Sequence, residues 1–411
     1  GNETDEHFVD AIPLAIRPSD GLRFCLIRAD GDSIGSWING ELGVPWVLMH
    51  HPTMIPNIQK LKNISPEILM RPRPTSPAYF STLSMVLSYN ALLISKIIEA
   101  FGGFLIFTGG DDVLAIVPPE IWHLVYLILR FTFSSEILLN PTLKRYSEGI
   151  YSYGMSWRAT QSYGVVIAHH KADFRWVINM SRELEEKSKK FQMYTSNKKI
   201  KDKDAISVAL LSRGSVIRCI EPIPNVLIPT NSGLLTIREF DHRIINNVQK
   251  NALSPDISDD YEHHFSSLLC TIRSKNLGGD FAFIGIIPQS TNLITTNSTS
   301  NSSLSLVAYA YKMARYVSRG ILSREGLIIL EQFYEKFKNK DDAKASDADF
   351  YLLKYQIKRK IPSDKYKFLA DNLSNDTRLL YELSEKTSSN LLSIYSLTEV
   401  FRRCLNNCIV R

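Results

Sequence analysis

The sequence predicts an α+β fold: a ferredoxin-like sheet followed by an α-rich region. Three observations predict it. Short apolar runs alternate with longer helical patterns over the first half of the chain. Two of those runs, 104–107 and 113–117, are joined by a glycine pair and two acids in the manner of a hairpin. After Pro222-Ile223-Pro224 the texture turns from strand-like to helical.

Residues 24–29, from Phe24 to Ala29, are mostly apolar and end at Asp30-Gly31-Asp32, which reads as a central strand running into a turn. Residues 44–77 are proline-rich and read as an irregular insertion. From 78 to 101 the period is helical, with Tyr79, Leu83, Val86, Leu87, Leu93, Ile94, Ile97 and Phe101 on one stripe and Gly102-Gly103 as the stop. The hairpin runs then flank Gly109-Gly110-Asp111-Asp112. Pro118-Pro119 ends the second strand, and residues 120–133 resume a helix. A strand at 163–169, a helix from its cap Asp173 to about Lys190, and strands at 205–211 and 216–220 complete the pattern. The order β, α, β-hairpin, α, β, α, β is that of a split βαβ sheet with helices on one face, placed at residues 15–222 behind a polar tail at 1–14. Residues 223–411 read as a mainly α-helical domain, with helices over 236–272, 305–338, 346–358 and 376–409. Within it lie one strand-like run at 281–287 and a Ser/Thr/Asn-rich loop at 289–303.

With 411 residues the chain is long enough for two cores, and 44% hydrophobic with 22% charged residues is the balance of a globular protein. A formal net charge of +6 permits a polyanionic partner without requiring one. The N-terminus Gly1-Asn2-Glu3-Thr4-Asp5-Glu6-His7 lacks the apolar segment of a signal peptide. The greasiest stretch, 121–133, is interrupted by His123 and Arg130 and is too short to span a bilayer. Cys25, Cys219, Cys270, Cys404 and Cys408 form no CxxC pair, and Cys404 with Cys408 has no second pair to complete a zinc site. The expectation is a cytoplasmic protein with reduced thiols and no membrane partner.

Two acidic turns carry the functional reading. Phosphoryl transfer onto a hydroxyl needs the phosphate's negative charge neutralised, and two divalent ions about 3.5–4 Å apart, held by carboxylates on rigid turns, supply that. Magnesium prefers oxygen ligands and shares its shell with substrate phosphates, so two or three acids suffice. Asp30 follows the first strand and Asp111 sits at the hairpin tip, and a split βαβ sheet makes those elements neighbours. Gly31, Gly109 and Gly110 leave room for a triphosphate to approach the backbone. Either turn alone is a common helix cap or hairpin; the pair in this order points to a nucleotide site.

Other patterns are weaker. Asp30, Asp32, Gly35 and Glu41 fall at calcium-hand positions, but Ile34 offers no oxygen and a strand precedes the loop. His169-His170 with Asp173 has the look of a phosphohydrolase pair but reads as a strand end and a helix cap, and His50-His51 and His263-His264 lack partners. Lys187, Lys189, Lys190, Lys198, Lys199, Lys201 and Lys203 form a basic run: a solvated face, or one lysine at the triphosphate with others near RNA.

Together these residues resemble the large subunit of type III CRISPR effector complexes, most like the Cmr-type (III-B) branch. The matching segments are Arg28-Ala29-Asp30-Gly31-Asp32-Ser33-Ile34-Gly35, Ser76-Pro77-Ala78-Tyr79 leading into Ser84-Met85-Val86-Leu87, and Phe107-Thr108-Gly109-Gly110-Asp111-Asp112-Val113 with its continuation to Pro118. Residues 164–171 and 182–189 follow in the family's order. The resemblance implies a nucleotidyl-cyclase palm that polymerises ATP into cyclic oligoadenylate when the complex binds target RNA. It implies that Asp30, Asp111 and Asp112 are catalytic, and that Asp30, the Gly31 carbonyl and Asp111, supported by Asp112, hold Mg2+ or Mn2+. Gly31, Asp32, Ser84, Gly109 and Gly110 are then nucleotide-binding, and Lys189 reaches phosphate.

By position and composition, residues 225–411 resemble the family's C-terminal domain. The implied partners are the small helical subunit, the backbone and crRNA 5′-end-binding subunits, crRNA and target RNA. The family's His-Asp nuclease domain, first palm and zinc insertion are not visible, so the chain reads as a C-terminal portion with one side of an ATP pocket formed between two palms. Two alternatives stand beside this reading. One is a free-standing diguanylate or adenylate cyclase, although Val113 stands where a diguanylate cyclase has phenylalanine. The other is an RNA- and protein-binding scaffold with an inactive palm.

Overall fold

In a computed structural model of the chain, residues 23–42, 71, 75–134, 159–195, 198–201, 203–225, 227–230, 233–236, 306–337, 344–385 and 390–405 are described. The tail at 1–14, most of the proline-rich insertion, nearly all of the helix expected at 236–272, the run at 281–287 and the loop at 289–303 lie outside them. So do His50-His51, His263-His264, Cys270 and Cys408.

The apolar run led by Phe24 forms β1 (Arg23–Gly31), round which a six-stranded sheet is built. After it come α1 (Ile34–Ile38), α2 (Pro77–Ala100), the hairpin β2 (Phe104–Thr108) and β3 (Val113–Val117), and α3 (Trp122–Phe133). β4 (Gln161–His169), α4 (Phe174–Lys189), a small hairpin of β5 (Gln192–Thr195) and β6 (Lys198–Lys201), then β7 (Ala205–Leu211) and β8 (Val216–Pro224) follow. The spatial order is β2-β3-β1-β4-β7-β8. Its first four strands are the expected split βαβ arrangement, with β1 antiparallel to β3 and to β4. β7 extends the sheet parallel to β4, and β8 closes it antiparallel to β7.

Helices cover both faces of the sheet, which corrects the expectation of one. Cys25, Ile27, Ala29, Val165 and Ile167 point into a core shared with α2 and α3, whereas Leu26, Val166, Ala168, Ala209 and Leu211 meet Val177 and Leu184 of α4 on the other side. Successive side chains of a strand alternate between faces, so β4 and β7, buried along nearly their whole length, need cover on both. The parallel β4–α4–β7 connection supplies it. Gly164 lets α4 seat directly on β4, since a Cβ there would lie 2.2 Å from the Ser181 carbonyl oxygen.

Capping chemistry explains the starts of α2 and α4. Ser76 accepts the Tyr79 N–H at the head of α2 with Pro77 behind it, and Asp173 accepts the Arg175 N–H at 3.0 Å to open α4. Among the described residues α2, not 121–133, is the helix that reaches membrane-spanning apolarity by length and composition. It is nevertheless built into the sheet domain: Asn90, Ile94, Ile97 and Ile98 are buried, while Phe80, Met85, Tyr89 and Leu92 stay exposed. Part of the basic run, Lys198, Lys199 and Lys201, lies on the hairpin β5–β6, in which Gln192 pairs with Lys201.

A hairpin of β9 (Leu227–Thr230) and β10 (Gly233–Thr236) precedes the helices α5 (Leu306–Ser318), α6 (Arg324–Lys336), α7 (Asp347–Arg359), α8 (Leu369–Ser384) and α9 (Ile394–Leu405). The helix expected over 305–338 is broken at Gly320, with φ +69, and restarts at the cap Ser323. That expected over 376–409 begins earlier and breaks before Asn390, whose side chain accepts the Leu392 N–H. These helices pack on the sheet domain through α3 and β8. Trp122 stacks on Phe401 at 5.0 Å, His123 stacks on Tyr311 at 3.9 Å, and Arg218 of β8 bonds Glu331 at 2.8 Å.

Candidate metal and nucleotide site

The pairing of β1 with β3 sets Ala29 opposite Val113, so Asp30, in the last residues of β1, and Asp112, just ahead of β3, meet at the same sheet end. One carboxylate oxygen from each of Asp30, Asp111 and Asp112 lies within 4.8 Å of the others, the only such group of metal-ligating side chains among the described residues. Gly31 permits the approach: a Cβ on it would lie 2.8 Å from the Asp111 Cβ and 3.0 Å from the Ile34 side chain. The Gly109 N–H donates to the Asp112 carbonyl at 3.0 Å to close the turn, and Gly110 takes φ +96, a conformation side-chain-bearing residues avoid.

Crowded carboxylates bind protons and cations more readily than isolated ones. Burial pushes Asp111 above the usual carboxylate range, reinforced by Asp30 and opposed by its own backbone hydrogen bond and by Lys189. Burial, then the charges of Asp30 and Asp111, push Asp112 up as well. Lys189, in the last turn of α4, donates to Asp30 and lies 3.1 Å from Glu185, which Arg28 meets at 2.7 Å. Burial pulls the Lys189 ammonium down, but its bonds to Asp30 and Glu185 outweigh that and raise it.

Ser84, Gly109 and Gly110 are brought together with Leu87, Ser88 and Thr108 along an open groove of about 820 Å³ between α2 and the hairpin. Asp32 is not brought to the cluster, which corrects the expectation that it faces nucleotide. It is fully buried, accepting from Thr160 and Ser162 hydroxyls at 2.9 and 2.8 Å and from the Asp204 N–H at 2.9 Å. Burial and the neighbouring Asp204 raise its pKa, against those three hydrogen bonds. Asp32 anchors the turn to β4 and to Lys203-Asp204, both of which have positive φ. Asp204 in turn grips the buried Arg130 through two bonds of 2.6 and 2.8 Å.

Two residues at the site carry no motif. Asn90 donates to the Gly110 carbonyl at 3.2 Å and Gln161 to the Asp111 carbonyl at 2.7 Å. Asn90 has a faint signal in the sequence, a polar residue at a stripe position between Leu87 and Ile94. Gln161 has none.

An all-oxygen ligand set on two strand tips fits a hard divalent cation, and no soft donor intrudes. Such a set on a split βαβ sheet beside a groove defines a palm, the metal-dependent nucleotide-binding fold of nucleotidyltransferases. Residues 23–207 match the family model of the Cas10/Cmr2 second palm domain. Among solved structures it is similar to type III-B Cmr-beta bound to cognate target RNA, with 15% identity and a TM-score of 0.51 over 98% of this chain and 41% of that one. It is also similar to type III-B Cmr-beta in the apo state, with 16% identity and a TM-score of 0.47 over 93% of this chain and 38% of that one. The chain thus spans about two fifths of the structures it matches. No curated protein matches it.

Proposed function

We propose that this chain is part of the large subunit of a type III CRISPR RNA-guided effector, and that its palm makes cyclic oligoadenylate from ATP in antiviral defence. The convergence of Asp30, Asp111 and Asp112 carries this reading. Those carboxylates and the Gly31 backbone would hold Mg2+ or Mn2+, which neutralises phosphate charge and eases loss of the attacking hydroxyl's proton. Ser84, Gly109 and Gly110 line the groove that would take the nucleoside and triphosphate. Lys189, bonded to Asp30 at the edge of the carboxylates, would meet a phosphate oxygen of a metal-bound triphosphate.

In the reaction a 3′-hydroxyl oxygen of one nucleotide bonds the α-phosphorus of the next, and the bond to pyrophosphate breaks. The hydroxyl proton passes to solvent, and a last such step closes the ring. Positioning and charge neutralisation suffice, so no side chain acts as nucleophile.

The exposed apolar residues Phe80 and Leu92 line this groove, and α2 and the edge strand β2 that wall it also expose Met85, Tyr89, Phe104 and Phe107, which supports a second palm covering it. Residues 15–222 would form the palm domain and 223–411 the helical domain. The latter would pack with the small helical subunit and the backbone and crRNA 5′-end-binding subunits on crRNA and target RNA, in the cytoplasm.

The test is product analysis with labelled ATP and Mg2+ or Mn2+, using the chain assembled with the remaining subunits, with and without cognate RNA. Oligoadenylate made only with RNA, and lost in an Asp111→Ala/Asp112→Ala chain that still folds, is expected. Unchanged product from the double variant, or nucleotide left intact by the wild-type complex, overturns the reading.

A further inference from the structure

Two buried side-chain amides grip the acidic turn by its backbone. Asn90 of α2, 6% exposed, reaches the Gly110 carbonyl, and Gln161, fully buried at the start of β4, reaches the Asp111 carbonyl. They hold successive peptides from different elements. A carbonyl only accepts, so each amide must turn its NH2 group toward the hairpin, and its orientation is not interchangeable.

Gln161 is itself locked. Its Oε1 meets the Tyr163 hydroxyl at 2.5 Å, and Asn225 donates to its main-chain carbonyl at 2.8 Å. Asn225 is held by the Tyr126 hydroxyl at 2.6 Å and by Asp204 at 2.8 Å. From a third direction Gly31 abuts Asp111 too closely to admit a side chain. The turn needs such support. A glycine pair is the most flexible turn the chain can write, and three neighbouring carboxylates repel one another when no cation is between them.

We propose that Asn90 and Gln161 are positioning residues that hold Asp111 and Asp112 in metal-ligating geometry before the metal arrives, an inference that rests on the metal-dependent reading above. Partners that orient a ligand without touching the metal typically change metal affinity by about 10–100-fold when removed.

Mn2+ titrated into the full chain, followed by calorimetry and by electron paramagnetic resonance, tests it. Asn90→Leu and Gln161→Met remove the donors while keeping bulk, and each is expected to weaken Mn2+ binding about tenfold and broaden the bound signal. Asn390→Leu is the control. Asn390 is a buried amide in the helical region donating to the Phe337 carbonyl at 3.0 Å, so its loss should lower Tm and leave Mn2+ affinity alone. Because Gln161 lies deep in the core, Asn90→Leu keeps the test decisive should Gln161→Met unfold.

Wild-type affinity in Asn90→Leu, or equal weakening by Asn390→Leu, overturns the proposal. Asp111→Asn separates the two levels. If it abolishes Mn2+ binding while the amide variants bind normally, only the positioning role falls. If it binds as tightly as the wild type, or the wild type binds no Mn2+, the metal reading falls and takes this inference with it.

Discussion

Lys189 donates a hydrogen bond to Asp30, so the lysine expected to reach phosphate sits on a carboxylate expected to hold metal. One ammonium would thus compete with a bound cation and attract a phosphate. Lys189→Met should therefore tighten binding of bare Mn2+ a few-fold, because a repelling charge has gone, and weaken binding of Mn2+–ATP about tenfold. Calorimetry with the ion alone and with the ion–nucleotide complex reads both. Two shifts of the same sign would show that Lys189 does not serve both partners.

Gly31→Ala should spare the fold but weaken Mn2+ binding about tenfold, since the new Cβ would lie 2.8 Å from the Asp111 Cβ and push the two tips apart. Gly35→Ala, whose Cβ would meet no atom of the described residues within 4 Å, is the silent comparison. Gly164→Ala is different in kind. Its Cβ would meet backbone atoms of α4 at 2.2 and 2.6 Å, so a loss of about 3 kcal/mol in urea unfolding is expected.

Asp204→Asn, a residue type that tolerates the φ of +43 there, should cost about 3–5 kcal/mol by leaving the buried Arg130 charge without its counter-ion. Arg130→Met in the same chain should recover much of that loss. Denaturation of the single and double variants measures it, and a double variant no better than Asp204→Asn would contradict the account.

His123 is stacked on Tyr311 and completely buried, and burial, aided by Arg315, lowers its pKa to about 3. Its ring nitrogens have no hydrogen-bond partner among the described residues. The unfolded chain takes up a proton near pH 6.5 and the folded chain does not, so the unfolded state gains stability as pH falls from about 6.5 to about 3. Folding stability should drop in that window by up to about 1.4 kcal/mol per pH unit. His123→Phe should remove this component. The difference between the two chains in urea unfolding at pH 7.5 and pH 5 isolates it from carboxylates common to both.

Much of the site is legible because its chemistry is local. Apolar runs on either side of Gly109-Gly110-Asp111-Asp112 define the hairpin, and the split βαβ order makes that hairpin the neighbour of β1. Asp32 shows where locality ends. It stands two residues from Asp30, yet its partners Ser162 and Asp204 come from 130 and 172 residues away and turn it into a buried anchor. The second covered face escapes for a related reason. Periodicity tells that β4 and β7 are apolar throughout, but not which helix lies over which side.

By itself the sequence determined the elements, the hairpin and the acids at two strand tips, because hydrophobic period, capping and glycine conformation act over a few residues. Only the tertiary structure decided that three carboxylates meet while a fourth is buried, and that Asn90 and Gln161 hold the turn between them. Hydrogen bonds and charge repulsion fall off within a few ångströms, and such distances between remote segments exist only once the sheet has closed.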